Sequence, residues 1–195
     1  ESGFINWGNW KMNSNLKKGY EVNFATASFG QGIEMTPIQL FRAFSSISNG
    51  GKLVKPYLSE PPSPLLDSSA ENNQSKSGEG QVISQKTAAQ LTAMLVSVVE
   101  NGFGKAARIP GYYIAGKTGT AQVPWSALKI DKPGYSEKTI QTFAGFTPAF
   151  NPRFLILVKL DNPKTKTAEY SAVPIFRELA KYIIDYYQIP PDYEE

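Results

Sequence analysis

Lys117, Thr118, Gly119 and Thr120 stand together in the run IAGKTGTAQ, Ile114 to Gln122. A lysine ammonium supplies positive charge and hydrogen-bond donors, and two hydroxyls can grip a carboxylate. Glycine weakens a strand interior and marks places where another backbone or a ligand comes close. Where the N–H of Thr120 points inward, it can stabilise a developing oxyanion. Together these groups form a kit for acyl transfer on a peptide that ends in a free carboxylate. The Lys-Thr-Gly tripeptide by itself is short enough to arise by chance and is better read as a strand with a surface lysine and a glycine bulge.

Two absences limit the chemistry further. The 195 residues include no cysteine and no histidine. That excludes a cysteine nucleophile, a disulfide framework, thiolate or imidazole metal sites, and any Ser-His-Asp arrangement drawn from this chain alone. A proton in nucleophilic catalysis must then be handled by Lys, Asp, Glu or Tyr. The formal net charge is +3, from 20 basic and 17 acidic residues, and Lys17-Lys18 is the only adjacent basic pair. This balance does not describe a nucleic-acid binder. No run is long and charge-free enough to span a membrane. The opening Glu1-Ser2-Gly3-Phe4 is no secretory signal, so an anchor is expected outside the chain.

Helices and strands must position the motif. The first two dozen residues, with Trp7 and Trp10, read as irregular. Thr36 is a helix cap, with Pro37 at the first helical position and Gln39 completing a capping box. Leu40, Phe41, Phe44 and Ile47 form that helix's apolar face, and Asn49-Gly50-Gly51 ends it. Lys52 to Leu58 reads as extended, and residues 59–80, rich in Pro, Ser, Asn and Gly, as a long mobile loop. Ser84 to Asn101 is a second helix that buries Ala88, Leu91, Leu95, Val98 and Val99, with Gly102 beyond its end. Gly111 to Val123 is the strand carrying the motif. Thr139–Thr147 and Arg153–Asp161 are two further strands joined through Pro148 and Asn151-Pro152. Phe154 to Val158 is apolar on both faces, as in a central strand. A last helix from about Pro174 turns Phe176, Leu179, Ala180, Ile183 and Tyr187 towards the sheet. The order of elements predicts an α+β layer structure around an antiparallel sheet, without repeats or a second domain.

Four longer segments, in order, carry a resemblance: ATASFGQGIEMTPIQLFRAFSSISNGG (Ala25 to Gly51), VVENGFGKAARIPGYYIAGKTGTAQ (Val98 to Gln122), FAGFTPAFNPRFLILVKLDNP (Phe143 to Pro163) and SAVPIF (Ser171 to Phe176). The sequence resembles the transpeptidase domain of penicillin-binding proteins, most closely the class B, cell-division type, in which K-T-G follows S-x-x-K and S-x-N. The resemblance covers nearly all of the chain outside the loop. It implies a serine β-lactamase-like fold, here incomplete, with residues 1–195 as the C-terminal portion of one domain. The implied activity of the parent is serine-type peptidoglycan D,D-transpeptidation, which needs no metal or organic cofactor. Lys117 would hydrogen-bond the serine of the second motif. Thr118 and Thr120 would contact the carboxylate of a stem peptide or of a β-lactam mimicking it. Gly119 would leave room for the substrate, and the Thr120 N–H would be one oxyanion donor. Gln31 and Gly32, in SFGQG, would line the cleft; a backbone turn with a buried amide fits them as easily. The implied partners are peptidoglycan stem peptides, β-lactams, the upstream part of the domain and cell-division proteins. The implied location is the outer side of the bacterial cytoplasmic membrane.

The chain departs from the family pattern in one respect. No S-x-N occurs, and S-x-x-K occurs only as Ser14-Asn15-Leu16-Lys17 and Ser126-Ala127-Leu128-Lys129. A catalytic S-x-x-K needs its serine at the start of a buried helix, so that the lysine returns one turn on. Neither occurrence introduces an apolar helix, so both are read as accidental. The chain alone is then expected to be inactive, with the nucleophile supplied from upstream. It should also expose apolar surface and aggregate, dimerise or retain a partner fragment. Two other readings remain open at this point: a non-catalytic binding module of the same fold, and a serine β-lactamase or carboxypeptidase.

Overall fold

The computed structural model describes residues 21–28, 30, 35–57 and 80–194. Helix α1 (Glu21–Ser28) begins inside the stretch read as irregular; its apolar residues are spread around the axis, so no periodic face announced it. Helix α2 (Pro37–Ser48) starts where its signals place it. The Thr36 hydroxyl accepts from the Gln39 N–H at 3.2 Å, and the Gln39 side chain accepts from the Thr36 N–H at 2.8 Å. This reciprocal cap satisfies two backbone donors that the helix itself leaves orphaned. Beyond Asn49, Gly50 and Gly51 take positive φ and turn the chain into β1 (Lys52–Leu53), which pairs with β2 (Gly80–Gln81). Of the expected extended segment Lys52 to Leu58, only Lys52 and Leu53 pair as a strand among the described residues, Leu58 lies outside them, and Gly80 belongs to a strand. Residues 58–79, which hold nearly all of the expected mobile loop, lie outside the described residues.

Helix α3 (Gln85–Asn101) is capped by the Ser84 hydroxyl, which accepts from the Thr87 N–H at 3.0 Å. Ala88 and Val99 are buried with Thr92, while Leu91, Leu95 and Val98 are half-buried. Three strands follow: β3 (Ala115–Pro124), β4 (Tyr135–Thr147) and β5 (Phe154–Asp161), in antiparallel order β3-β4-β5. The motif strand starts four residues later than Gly111. Gly111 takes φ +81° in the turn bridged by Ile109 and Tyr112, and Tyr113 spends its N–H on Asp192 and its carbonyl on Thr147 and Ala149. β4 begins at Tyr135, ahead of the expected Thr139, because it pairs with β3 through a register irregularity near Pro124.

The sheet lies between two helical layers. One face of β3 and β4 meets α2 and α3, where Ala115 and Phe146 pack with Phe44, Ile47 and Leu95. The other face meets α4 (Ala172–Tyr186), where Phe143, Val158, Phe176, Ala180 and Ile184 form the larger core. The Phe143 and Phe176 rings meet edge-on with centroids 4.7 Å apart, a favoured aromatic geometry. α4 begins two residues before Pro174, which sits in its first turn where a missing N–H is tolerated. Its inward face is Phe176, Ala180 and Ile184, whereas Leu179 and Tyr187 are exposed. The expected stripe was rotated because Leu179 and Tyr187 share apolar character with the residues that face the sheet. The α+β layering stands. β5, however, is the edge of the three described strands and β4 is their centre. The two-sided apolarity of β5 arises because Leu155 faces α2 while Phe154, Ile156 and Val158 face α4.

Candidate active site

β3 brings Lys117, Thr118, Gly119 and Thr120 to one edge of the described sheet, paired across to Ala144, Phe143, Thr142 and Gln141 of β4. Strand alternation divides them between two faces. Lys117 and Gly119 share the α2 side with Ala144 and Thr142; Thr118 and Thr120 share the α4 side with Phe143 and Gln141.

Two clefts open along this edge. The larger, about 620 Å³, runs between β3 and the first helices, where Ser28, Gly30, Met35 and Leu40 face Lys117 and Thr142. The smaller, about 350 Å³, lies between β3 and the 3₁₀ turn Ala168–Tyr170, with Phe103, Thr167 and Glu169 on its wall. Lys117, Thr118, Gly119 and Thr120 line both. The strand therefore forms the ridge between two open spaces, with its side chains available from either.

Lys117 is exposed and its Nζ donates to the Thr118 carbonyl at 2.9 Å. An ammonium has three donors, so it is held along its own strand with capacity to spare. A Cβ on Gly119 would stand 2.5 Å from Thr142 Oγ1, so the Thr142 side chain would have to turn aside to admit it. The Thr120 hydroxyl accepts from the Ala168 N–H at 3.2 Å, tying the motif to the turn that opens α4. A further cavity, about 630 Å³, is lined by Glu100, Lys105, Arg108 and Arg177 and by none of the motif residues. Its arginines are held by Glu100 at 3.3 Å and Glu178 at 3.4 Å.

The four motif residues thus come together as their spacing implied. Gln31 and Gly32 lie outside the described residues, although Ser28 and Gly30 beside them reach the larger cleft. Ser126 falls in the 3₁₀ turn Trp125–Leu128, and Lys129 ends that turn at φ +58°. Both are exposed, and a four-residue turn cannot bring a lysine back beside a buried hydroxyl. Ser14 and Lys17 lie outside the described residues. Phe103, Thr142 and the Thr167–Glu169 wall escaped the sequence reading. The register opposite Gly119 is the signal that finds Thr142; Phe103 and the wall come from loops distant in sequence, which no local pattern reports.

A family model described as the penicillin-binding protein transpeptidase domain matches residues 6–181. The chain is 40% identical over 144 residues to stage V sporulation protein D of Bacillus subtilis (strain 168), a match covering 73% of the chain and 21% of that protein. It is 34% identical over 186 residues to the peptidoglycan D,D-transpeptidase FtsI homolog of Mesostigma viride, covering 88% of the chain and 30% of that protein. Among solved structures, the apo transpeptidase domain of Burkholderia pseudomallei penicillin-binding protein 3 superposes with a TM-score of 0.69 at 27% identity, covering 99% of the chain and 52% of that domain. The chain therefore spans less than a third of the length of these curated relatives and about half of that solved domain.

Proposed function

The chain belongs to the penicillin-binding protein transpeptidase family, and from that premise we propose that it forms the substrate-gripping part of a peptidoglycan D,D-transpeptidase, with its nucleophilic serine supplied by the rest of the domain. The observation that carries this is the placing of Lys117, Thr118, Gly119 and Thr120 at an edge of the described sheet between two clefts. An extended peptide laid along that edge meets cationic charge, two hydroxyls and a glycine that leaves the backbone accessible.

In the proposed reaction, a serine oxygen attacks the penultimate D-Ala carbonyl of a stem peptide. The tetrahedral intermediate collapses, terminal D-Ala leaves, and an amine of a neighbouring stem peptide takes the acyl group. Lys117 hydrogen-bonds the serine of the second motif and adds positive charge, which favours an anionic substrate and a developing oxyanion. The hydroxyls of Thr118 and Thr120 hold the terminal carboxylate, and the Thr120 N–H is one oxyanion donor. Gln31 and Gly32 would contact the stem peptide. A β-lactam presents a similarly placed carboxylate and carbonyl, so it acylates the same serine. The protein works in the cell envelope, outside the cytoplasmic membrane, beside cell-division proteins.

Intact-mass spectrometry of the transpeptidase containing this chain, after incubation with a penicillin, tests the reading. A single covalent adduct on a serine of an S-x-x-K motif upstream of Glu1 is expected. An adduct on Ser126 would overturn the assignment of the nucleophile. No adduct under conditions where the protein is folded would overturn acyl transfer and leave a binding module.

A further inference from the structure

Gln141 stands directly across from Thr120 on the central described strand, on the same face, and is completely buried. A primary amide has two N–H donors and two acceptor lone pairs, and here all four are used. Its Nε2 donates to Thr139 Oγ1 at 3.0 Å and to the Thr165 carbonyl at 2.7 Å. Its Oε1 accepts from the hydroxyls of Thr165 and Ser171. Those two residues bracket the Ala168–Tyr170 turn, so one buried side chain pins both ends of it.

Ser171 breaks a local rule in doing so. A serine immediately before a helix ordinarily turns its oxygen back to accept from an N–H of the first turn. Ser171 precedes α4 yet makes no such cap; its hydroxyl goes to Gln141 instead. A cap given up in favour of a distant amide needs a reason, and the turn it secures supplies one. Within that turn, fully buried Ala168 directs its N–H at Thr120 Oγ1. A threonine hydroxyl has one proton. With a lone pair engaged by an N–H, which can only donate, that proton is not given to the turn and stays available to an acceptor in the cleft that Thr120 lines.

We infer that Gln141 and Ser171 are positioning residues that act through the Ala168 N–H to present Thr120 as a hydrogen-bond donor to an anionic group of the substrate. The inference rests on the carboxylate-gripping role proposed for Thr120, and it names what sets the polarity of that hydroxyl. Removing the clamp frees the turn, lets the Thr120 rotor wander, and weakens capture of the anion without touching the acylating serine.

The test is a double-mutant cycle in the whole transpeptidase, separating penicillin capture (Ks) from acylation (k2). Ser171→Ala is expected to weaken capture roughly fivefold, the size of one ordinary hydrogen bond, with k2 nearly unchanged. Ser171→Thr, which keeps the hydroxyl, should restore it. In a Thr120→Val background, Ser171→Ala should cost nothing further. An equal loss in both backgrounds, a loss confined to k2, or no loss at all would overturn the inference. Should Ser171→Ala melt early, Thr165→Val replaces it in the cycle, deleting the other hydroxyl that donates to Gln141 Oε1 while keeping side-chain shape and the Thr165 carbonyl that Nε2 reaches. Unmodified enzyme that fails to react with penicillin would instead sink acyl transfer itself, and the inference with it.

Discussion

Two glycines three residues apart on β3 serve different masters. Gly116 faces the core beneath α4, where an added Cβ would stand 2.4 Å from Phe143 Cζ and 3.2 Å from the Ala144 carbonyl. Phe143 is fully buried and locked edge-on against Phe176, so its ring has nowhere to go. Opposite it, Gly145 is hemmed in by the same two rings. Gly119 faces the larger cleft, where an added Cβ meets only the Thr142 side chain closely, at 2.5 Å from Oγ1. That hydroxyl can rotate into open space. One glycine exists so that the sheet can pack; the other keeps a ridge flat between two clefts.

The largest effect should come from closing the packed side. Gly116→Ala is expected to cost about 3 kcal/mol, the upper range for overpacking a tight core, measured by denaturant unfolding of the whole domain. Penicillin reactivity should fall only in proportion to the folded fraction. Gly119→Ala should reverse this pattern. Its stability cost should stay within about 1 kcal/mol because Thr142 can yield, while the acylation rate at low penicillin falls at least tenfold. Equal stability losses at the two positions would break the contrast. Adding Thr142→Ala to Gly119→Ala should recover stability but not acylation, which sharpens it.

The sequence carried these two roles unequally. Gly119 was legible because it stands in a run of lysine and hydroxyls whose chemistry can be read residue by residue. Gly116 was not, because its partner Phe143 lies on the next strand and only the register brings the two together. The capping box of α2 and the apolar periodicities of α2 and α3 placed both helices well, since those signals are local. The inward face of α4 was partly misread because Ile175, Leu179, Tyr182 and Tyr186 are as apolar as the residues that face the sheet. Hydrophobicity says that a face wants cover, not which surface covers it. Gln141 escaped for the same reason as Gly116: its four hydrogen bonds reach three residues, Thr139, Thr165 and Ser171, of which two are distant in sequence, and only the fold assembles them.

α4 repeats the division between packed and open surface. Phe176, Ala180 and Ile184 are buried, whereas Ile175, Leu179, Tyr182 and Tyr186 form an exposed apolar stripe at helical spacing. The isolated chain is therefore expected to self-associate. Leu179→Lys with Tyr182→Lys should raise its monomer fraction severalfold in sedimentation velocity, while changing unfolding by less than about 0.5 kcal/mol, as for other surface substitutions. A wild-type chain that sediments as a monomer at all concentrations would refute this.

The smallest effect lies at residues that line neither cleft, where residues 189–193 close over the turn before β3. The Tyr112 hydroxyl donates to the Ile189 carbonyl at 2.7 Å. Burial, then the negative charges of Asp185 and Asp192, push its pKa above the ordinary 10.0. The folded state thus holds this proton more tightly than the unfolded chain does. Tyr112 contributes that stability in full below pH 10.0, and the contribution is lost as pH rises through the higher folded-state value. Unfolding free energy should accordingly fall with alkaline pH more steeply in the wild type than in Tyr112→Phe, although the variant starts lower for want of the hydrogen bond. Parallel curves for the two proteins above pH 10.0 would mean that the phenol is equally acidic folded and unfolded. A gap that narrows there would show a group whose role is to hold the chain end against the core, with no effect on penicillin capture at neutral pH.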